Sequence, residues 1–116
     1  MKYNFIRFLI LTSIFSVNLA MEHAQPPKAR DGKFYAFGQT DMHIDIAPLV
    51  SGGTEPFLYL PGQRTNAEVS TWQAGPIFDF TFLDRTKPAS FKYKVLSGSG
   101  MSNEATVIIY PEAEKG

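Results

Sequence analysis

The chain has 116 residues, a length that suits one domain, because a second hydrophobic core would have too little chain left to form. Its 11 Lys and Arg residues balance 11 Asp and Glu residues, so it lacks the basic excess typical of nucleic-acid-binding proteins. The sequence contains no cysteine, which excludes disulfides, thiolate metal sites, iron–sulfur clusters and cysteine nucleophiles.

Residues 1–20 have the composition of a secretory signal peptide helix. Lys2 and Arg7 carry the only charges before an apolar run at 8–17 (FLILTSIFSV), and the small residue Ala20 follows it. The run has about half of the roughly 20 residues that a helix needs to cross a bilayer. A cleaved signal is therefore predicted rather than a permanent membrane anchor.

Cleavage after Ala20 is predicted, with Ala24 as the alternative site. The mature chain then carries nine basic and eleven acidic residues and has no further segment of membrane-spanning length. We therefore expect an extracytoplasmic protein that is periplasmic, bound at the cell surface or secreted, with no membrane span after cleavage. Residues 21–33 are polar, contain the pair Pro26-Pro27 and show no periodicity, which predicts a flexible lead-in.

The remaining chain alternates short apolar segments with turn residues, a pattern typical of all-β proteins. Seven strands are predicted: Phe34–Phe37, Met42–Ile46, Phe57–Leu60, Glu68–Trp72, Ile77–Leu83, Ser90–Leu96 and Ala105–Tyr110. Strands of this length and spacing predict an antiparallel β-sandwich over residues 34–111, followed by a charged tail at 112–116.

Two of these strands show the alternation most clearly, with apolar side chains at every second position. Successive side chains of a strand point to opposite faces, so the apolar set faces the core and the polar set faces solvent. The residues predicted to point inward are Phe78, Phe80, Phe82, Phe91, Tyr93 and Val95. The strand at 42–46 has the same pattern, with Ile44 and Ile46 on one face.

The last third of the chain resembles the end of a bacterial Ig-like or cadherin-like repeat. The segment 91–95 (FKYKV) is similar to the F-x-Y-x-V strand of those repeats. The segment 97–100 (SGSG) occupies the position of the D-G-x-G turn of those repeats. The segment 105–109 (ATVII) is similar to their final strand, in which Val and Ile alternate. This resemblance implies an Ig-like antiparallel β-sandwich of about seven strands. It also implies an extracytoplasmic module for binding, adhesion or spacing, with no catalytic residues.

The chain departs from these repeats where their calcium ligands lie. Ser97 stands in place of the acidic residue of the turn, and 47–51 (APLVS) stands in place of an acidic run. Calcium needs six to eight oxygen ligands, several of them carboxylates, so the resemblance implies that the calcium sites are lost. The turn is then predicted to be held by Gly98 and Gly100 alone. We expect no cofactor.

Few residues offer catalytic or metal chemistry, and we predict that the protein is not an enzyme. No serine lies in a nucleophile-elbow context, and no Gly-rich phosphate loop precedes a helix. Asp79 and Asp84 lie on and just after one strand and are the acidic residues considered for glycoside cleavage, but the alternation points Asp79 outward. Asp41, His43 and Asp45 share one face of a strand, which makes them a candidate zinc or manganese site. The alternative is that they form the solvent face of a one-sided strand.

Trp72 is the candidate ligand-binding residue. Tyr59 and Tyr110 also have positions that allow an exposed face, and planar aromatic side chains can stack on sugar rings. The alternative is that each of these aromatic side chains fills the core.

Three functions follow from these observations. The first is an exported, non-enzymatic Ig-like domain that acts through protein or cell-surface contacts, in adhesion, binding or structure. The second is a carbohydrate-binding module centred on Trp72, and the third is a small metal-binding extracytoplasmic protein that uses His43. The expected partner is a protein or a surface glycan and not a nucleic acid.

Overall fold

The computed structural model describes residues 25–113. The predicted signal peptide at 1–20, both candidate cleavage sites and residues 114–116 of the predicted charged tail lie outside these described residues. Within the described part of the chain, no helix is long and apolar enough to cross a bilayer.

Residues 25–113 fold into short β-strands, joined by turns and by one 3₁₀ turn at Ala47–Leu49. The strands are β1 (Lys28–Ala29), β2 (Gly32–Tyr35), β3 (Asp41–Asp45), β4 (Val50–Ser51), β5 (Phe57–Thr65), β6 (Ala67–Thr71), β7 (Ile77–Phe82), β8 (Ala89–Ser97), β9 (Gly100–Met101) and β10 (Ala105–Tyr110). Each of the seven predicted strands overlaps one strand of four or more residues. The all-β fold is therefore confirmed.

Two sheets form a sandwich-like arrangement. One sheet has the strand order β3-β7-β6 and the other the order β2-β10-β8-β5, with β9 paired to β8. Neighbouring strands are antiparallel except β2 and β10, which run parallel. In addition, β1 pairs with β4 in a short antiparallel ladder.

The core lies between β7 of one sheet and β8 of the other. Phe78 on β7 packs against Phe91 and Tyr93 on β8, with ring centroids 5.4 and 6.4 Å apart. All six side chains predicted to point inward on these strands are at most 3 % exposed, and Ile44 and Ile46 are buried beside them. The two-residue alternation therefore predicted the buried faces correctly.

The β structure begins at Lys28, inside the segment 21–33 that was predicted to be a flexible lead-in. The side chain of Asn103 accepts a hydrogen bond from the N–H of Ala29 at 2.9 Å and donates one to its carbonyl at 2.8 Å. Asp31 accepts a hydrogen bond from the N–H of Thr106 at 2.8 Å. These partners lie more than 70 positions away in the chain, so the local composition of the segment does not reveal them.

Ser97 helps to hold the turn between β8 and β9, which corrects the prediction that Gly98 and Gly100 hold it alone. The Ser97 hydroxyl accepts a hydrogen bond from the N–H of Ser99 at 3.1 Å and donates one to the carbonyl of Gly100 at 3.2 Å. Serine hydroxyls mimic a backbone turn in this way, as the side chains of Asp and Asn do. Gly98 is needed for space, because a Cβ there would lie 2.6 Å from the carbonyl oxygen of Glu55.

Tyr93 makes the free energy of unfolding depend on pH in the alkaline range. Its hydroxyl donates a 2.7 Å hydrogen bond to the carbonyl of Arg30, and burial raises the pKa of Tyr93 from 10.0 to about 12. The unfolded chain releases this proton near pH 10, whereas the folded chain keeps it until about pH 12. We therefore expect Tyr93 to contribute fully to the free energy of unfolding below pH 10. Between pH 10 and about pH 12, the free energy of unfolding is expected to fall by up to about 1.4 kcal/mol per pH unit.

Urea unfolding of the wild type and Tyr93→Phe between pH 8 and 12 tests this expectation. The free energy of unfolding of the variant is expected to fall less steeply above pH 10, because the variant cannot ionise at this position. Tyr110→Phe is the matched control, since Tyr110 is half-buried and stacks on Tyr35 instead of lying in the core. Equal slopes for the wild type and Tyr93→Phe would contradict the assignment.

Candidate functional site

The strand face predicted as a candidate metal site does not gather its three side chains around one point. Asp41, His43 and Asp45 all lie on the solvent side of β3, as the alternation predicts. Because a strand rises about 3.4 Å per residue, Asp41 and Asp45 are roughly 13–14 Å apart along it. Within residues 25–113, no group of three or more His, Asp or Glu side chains is arranged to hold a metal ion.

Each of the three side chains instead has a neighbour of its own. The Nδ1 atom of His43 lies 2.6 Å from Oδ1 of Asp79 on β7, and both side chains are largely exposed. Asp41 accepts a 3.0 Å hydrogen bond from the Thr81 hydroxyl, and Asp45 accepts one of 3.0 Å from the N–H of Ala47. This face therefore has the contacts of a solvated sheet surface.

Asp84 stabilises a turn through hydrogen bonds and does not have the surroundings of a general acid. Its carboxylate accepts hydrogen bonds from the hydroxyl and the backbone N–H of Thr86, at 2.6 and 3.0 Å. These bonds, the hydroxyl bond first, lower the pKa of Asp84. A catalytic acid of a glycosidase needs a raised pKa, so Asp84 is shifted in the opposite direction.

Trp72 is held in solvent by the loop between β6 and β7. Its side chain is 77 % exposed, and its carbonyl accepts a 3.0 Å hydrogen bond from the N–H of Gly75. The two residues inside this turn, Gln73 and Ala74, both have a φ of 55°. Residues other than glycine and asparagine adopt this left-handed conformation at a cost of roughly 1 kcal/mol or more each.

The strained turn is anchored to both sheets. The carbonyl of Ala74 accepts a 2.7 Å hydrogen bond from the N–H of Tyr59 on β5, in the five-stranded sheet. The carbonyl of Pro76 accepts one of 2.9 Å from the N–H of Ile46, which follows β3 in the other sheet. Two strained residues persist only where the surrounding structure holds them, so the loop presents Trp72 from a fixed position.

An open pocket lies at the same end of the sandwich, next to this loop. It measures about 650 Å³ and is lined by Glu55, Pro56, Phe57, Tyr59 and Pro76. Most of the lining comes from the start of β5 and the segment before it, and Pro76 connects the pocket to the Trp72 loop. The two aromatic rings stand side by side, with centroids 6.4 Å apart and planes tilted by 34°.

Tyr59 takes one of the two positions that the sequence left open. Its side chain points into the core rather than to an exposed face and is 9 % exposed. Burial, and secondarily the negative charge of Asp45, raises the pKa of Tyr59. The phenol therefore keeps its proton at neutral pH and is available to donate or accept a hydrogen bond.

Trp72 was identified from the sequence, but the pocket beside it was not. Its lining residues come from positions 55–59 and 76, which meet only because β5 and the β6–β7 loop lie at one end of the fold. The proline and glycine residues at 56, 61, 62, 75 and 76 signal turns, but no pattern in them indicates a pocket.

Comparison with known proteins gives no relative from which a function can be transferred. No family model matches the chain, and no curated protein matches it. The site is therefore interpreted from its geometry.

Proposed function

We propose that the protein is an exported, non-enzymatic Ig-like domain that binds a protein partner at the cell envelope through the end of the sandwich that carries Trp72. The single observation that carries this proposal is the 77 % exposed indole on a strained, doubly anchored turn. Tryptophan is among the residues most enriched at the energetic centres of protein interfaces, because it buries a large rigid surface.

The strand order supports the Ig-like assignment. In an Ig-like sandwich, the second, fifth and fourth strands form one sheet, and the third, sixth and seventh strands form the other. Here β3, β7 and β6 take the first set of positions and β5, β8 and β10 take the second. The first strand is divided: β1 pairs with β4, and β2 runs parallel to β10.

The edge of β5 is poorly suited to pairing with a strand of another protein. Pro61 has no N–H to donate, and the N–H of Tyr59 is already bonded to the carbonyl of Ala74. The ladder is also irregular between Pro61 and Arg64. Because such features block strand addition, we favour the loop end over this edge as the contact surface.

Affinity measurements with Trp72→Ala test the proposal. A partner is first captured from the native envelope fraction with protein expressed from the full chain, and is then purified and titrated. We expect Trp72→Ala to weaken binding by at least about 30-fold, the effect of removing a central interface residue worth about 2 kcal/mol.

Phe37→Ala is the matched control, since Phe37 is 71 % exposed but lies in the turn between β2 and β3, at the opposite end of the sandwich. Its affinity for the partner is expected to equal that of the wild type. Normal binding by Trp72→Ala together with a loss of binding by Phe37→Ala would show that the contact surface lies at the opposite end of the sandwich.

A carbohydrate-binding module is the second candidate. The loop that carries the exposed indole borders an open pocket lined in part by Glu55, and stacking surfaces with polar groups at their border suit a sugar ring. A glycan array separates the two candidates: specific glycan binding that disappears in Trp72→Ala, without a protein partner, would favour the module.

A further inference from the structure

The pocket next to the Trp72 loop is lined by a tyrosine whose hydroxyl has no hydrogen-bond partner among the described residues. Tyr59 is 9 % exposed, and among residues 25–113 no group hydrogen-bonds to its hydroxyl. The hydroxyl of the neighbouring core residue Tyr93, in contrast, is bonded to the carbonyl of Arg30. Because the pocket is open, water can bond to the Tyr59 hydroxyl in the free protein, and a polar ligand group can replace that water.

The walls of the pocket suit an alkyl chain that ends in a cation. Pro56 and Pro76 provide apolar surface, and the rings of Phe57 and Tyr59 stand side by side. The face of an aromatic ring attracts an ammonium or guanidinium group that comes within about 6 Å of its centre.

The charges around the pocket are acidic. Glu55 is part of its lining, and the negative charge of Asp45 acts on the Tyr59 phenol. None of the lining residues is basic. A cation in the pocket would therefore lie beside the acidic residue Glu55, two aromatic rings and a hydroxyl that can accept its hydrogen bond, with the negative charge of Asp45 nearby.

We propose that this pocket receives the protonated side chain of a lysine or arginine of the partner protein. The alkyl stem packs between the two prolines, and the charged head lies at Glu55 and the Tyr59 hydroxyl. This inference rests on the proposed function, since it assigns a specificity pocket to the same contact surface.

Titration of isotope-labelled protein with small probes tests the pocket directly. Binding is detected through the NMR signals of the backbone amides. n-Butylammonium and n-propylguanidinium are expected to shift the signals of Glu55, Phe57 and Tyr59 in a saturable manner. 1-Butanol and pentanoate have the same stem without the positive charge, and neither is expected to bind. Butanol binding as tightly as butylammonium, or no saturable shift with either cation, would overturn the proposal.

Variants locate the cation within the pocket. Tyr59→Phe is expected to weaken butylammonium binding about tenfold, because it removes a hydrogen bond to a charged group. Glu55→Gln is expected to weaken it to a similar extent, and Tyr35→Phe, on the distant strand β2, leaves it unchanged. Wild-type affinity in both pocket variants would overturn the assignment. Tighter binding of tetramethylammonium than of butylammonium would also overturn it, in favour of a quaternary ammonium headgroup.

The failure of this proposal is distinguishable from the failure of the proposed function. If the cations do not bind but Trp72→Ala still abolishes binding of the purified partner, the contact surface stands and the pocket assignment is wrong. If Trp72→Ala binds the partner normally, the contact surface itself is wrong.

Discussion

Replacing Phe78 with alanine is expected to lower the free energy of unfolding by about 3–5 kcal/mol. Phe78 is fully buried near the start of β7, and its ring packs between the two sheets against Phe91 and Tyr93. Removing the ring forfeits its transfer free energy and leaves a cavity that neighbouring strands cannot close. A domain of this size has a total stability of about 5–15 kcal/mol, so the loss is a large share of it.

Chemical denaturation of the wild type, Phe78→Ala and Phe37→Ala measures this effect. Phe37 is 71 % exposed, so the same substitution there is expected to change the free energy of unfolding by no more than about 0.5 kcal/mol. A loss below about 1 kcal/mol in Phe78→Ala would mean that the core between β7 and β8 is not packed as described.

The buried faces of this sandwich were predictable because a strand repeats every two residues. A run such as that at 77–83 (IFDFTFL) allows one arrangement with its three phenylalanines together, and burial of that face follows from the hydrophobic effect. The order of strands within each sheet was harder to predict from the sequence, since it depends on which strands pair with each other. The position of β1 and β2 depends on hydrogen bonds between distant parts of the chain, from Ala29 to Asn103 and from the N–H of Thr106 to Asp31.

The site was predictable only in part. Trp72 was singled out because it is the one tryptophan of the chain and lies at the end of an alternating segment. Its exposure depends on Gln73 and Ala74, two residues that rarely adopt a positive φ and therefore give no signal of this turn. The orientation of Tyr59 was left open between an exposed face and the core, because its neighbours at 57–60 are all apolar and alternation does not decide which side chains point inward.

Replacing Asn66 with alanine is expected to lower the free energy of unfolding by about 2–4 kcal/mol, the largest effect predicted for a position outside the core. Asn66 alone connects β5 in one sheet to β6 in the other, with a φ of 57°. Its side chain also ties this connection to the β7–β8 turn. Its Nδ2 donates to the carbonyls of Asp84, Lys87 and Pro88 at 2.8, 3.1 and 3.2 Å, and its Oδ1 accepts from the N–H of Asp84 at 2.7 Å.

Comparison of Asn66→Ala with Asn66→Gly separates the two contributions in the same denaturation experiment. Both variants lose the side-chain hydrogen bonds, but glycine adopts a positive φ without steric cost, so Asn66→Gly should be about 1 kcal/mol more stable than Asn66→Ala. Equal stability of the two variants would show that the backbone relaxes out of the left-handed region. Wild-type stability in Asn66→Gly would show that the side-chain bonds contribute nothing. The predicted order, wild type above glycine above alanine, requires both the strained conformation and the hydrogen bonds to be present in solution.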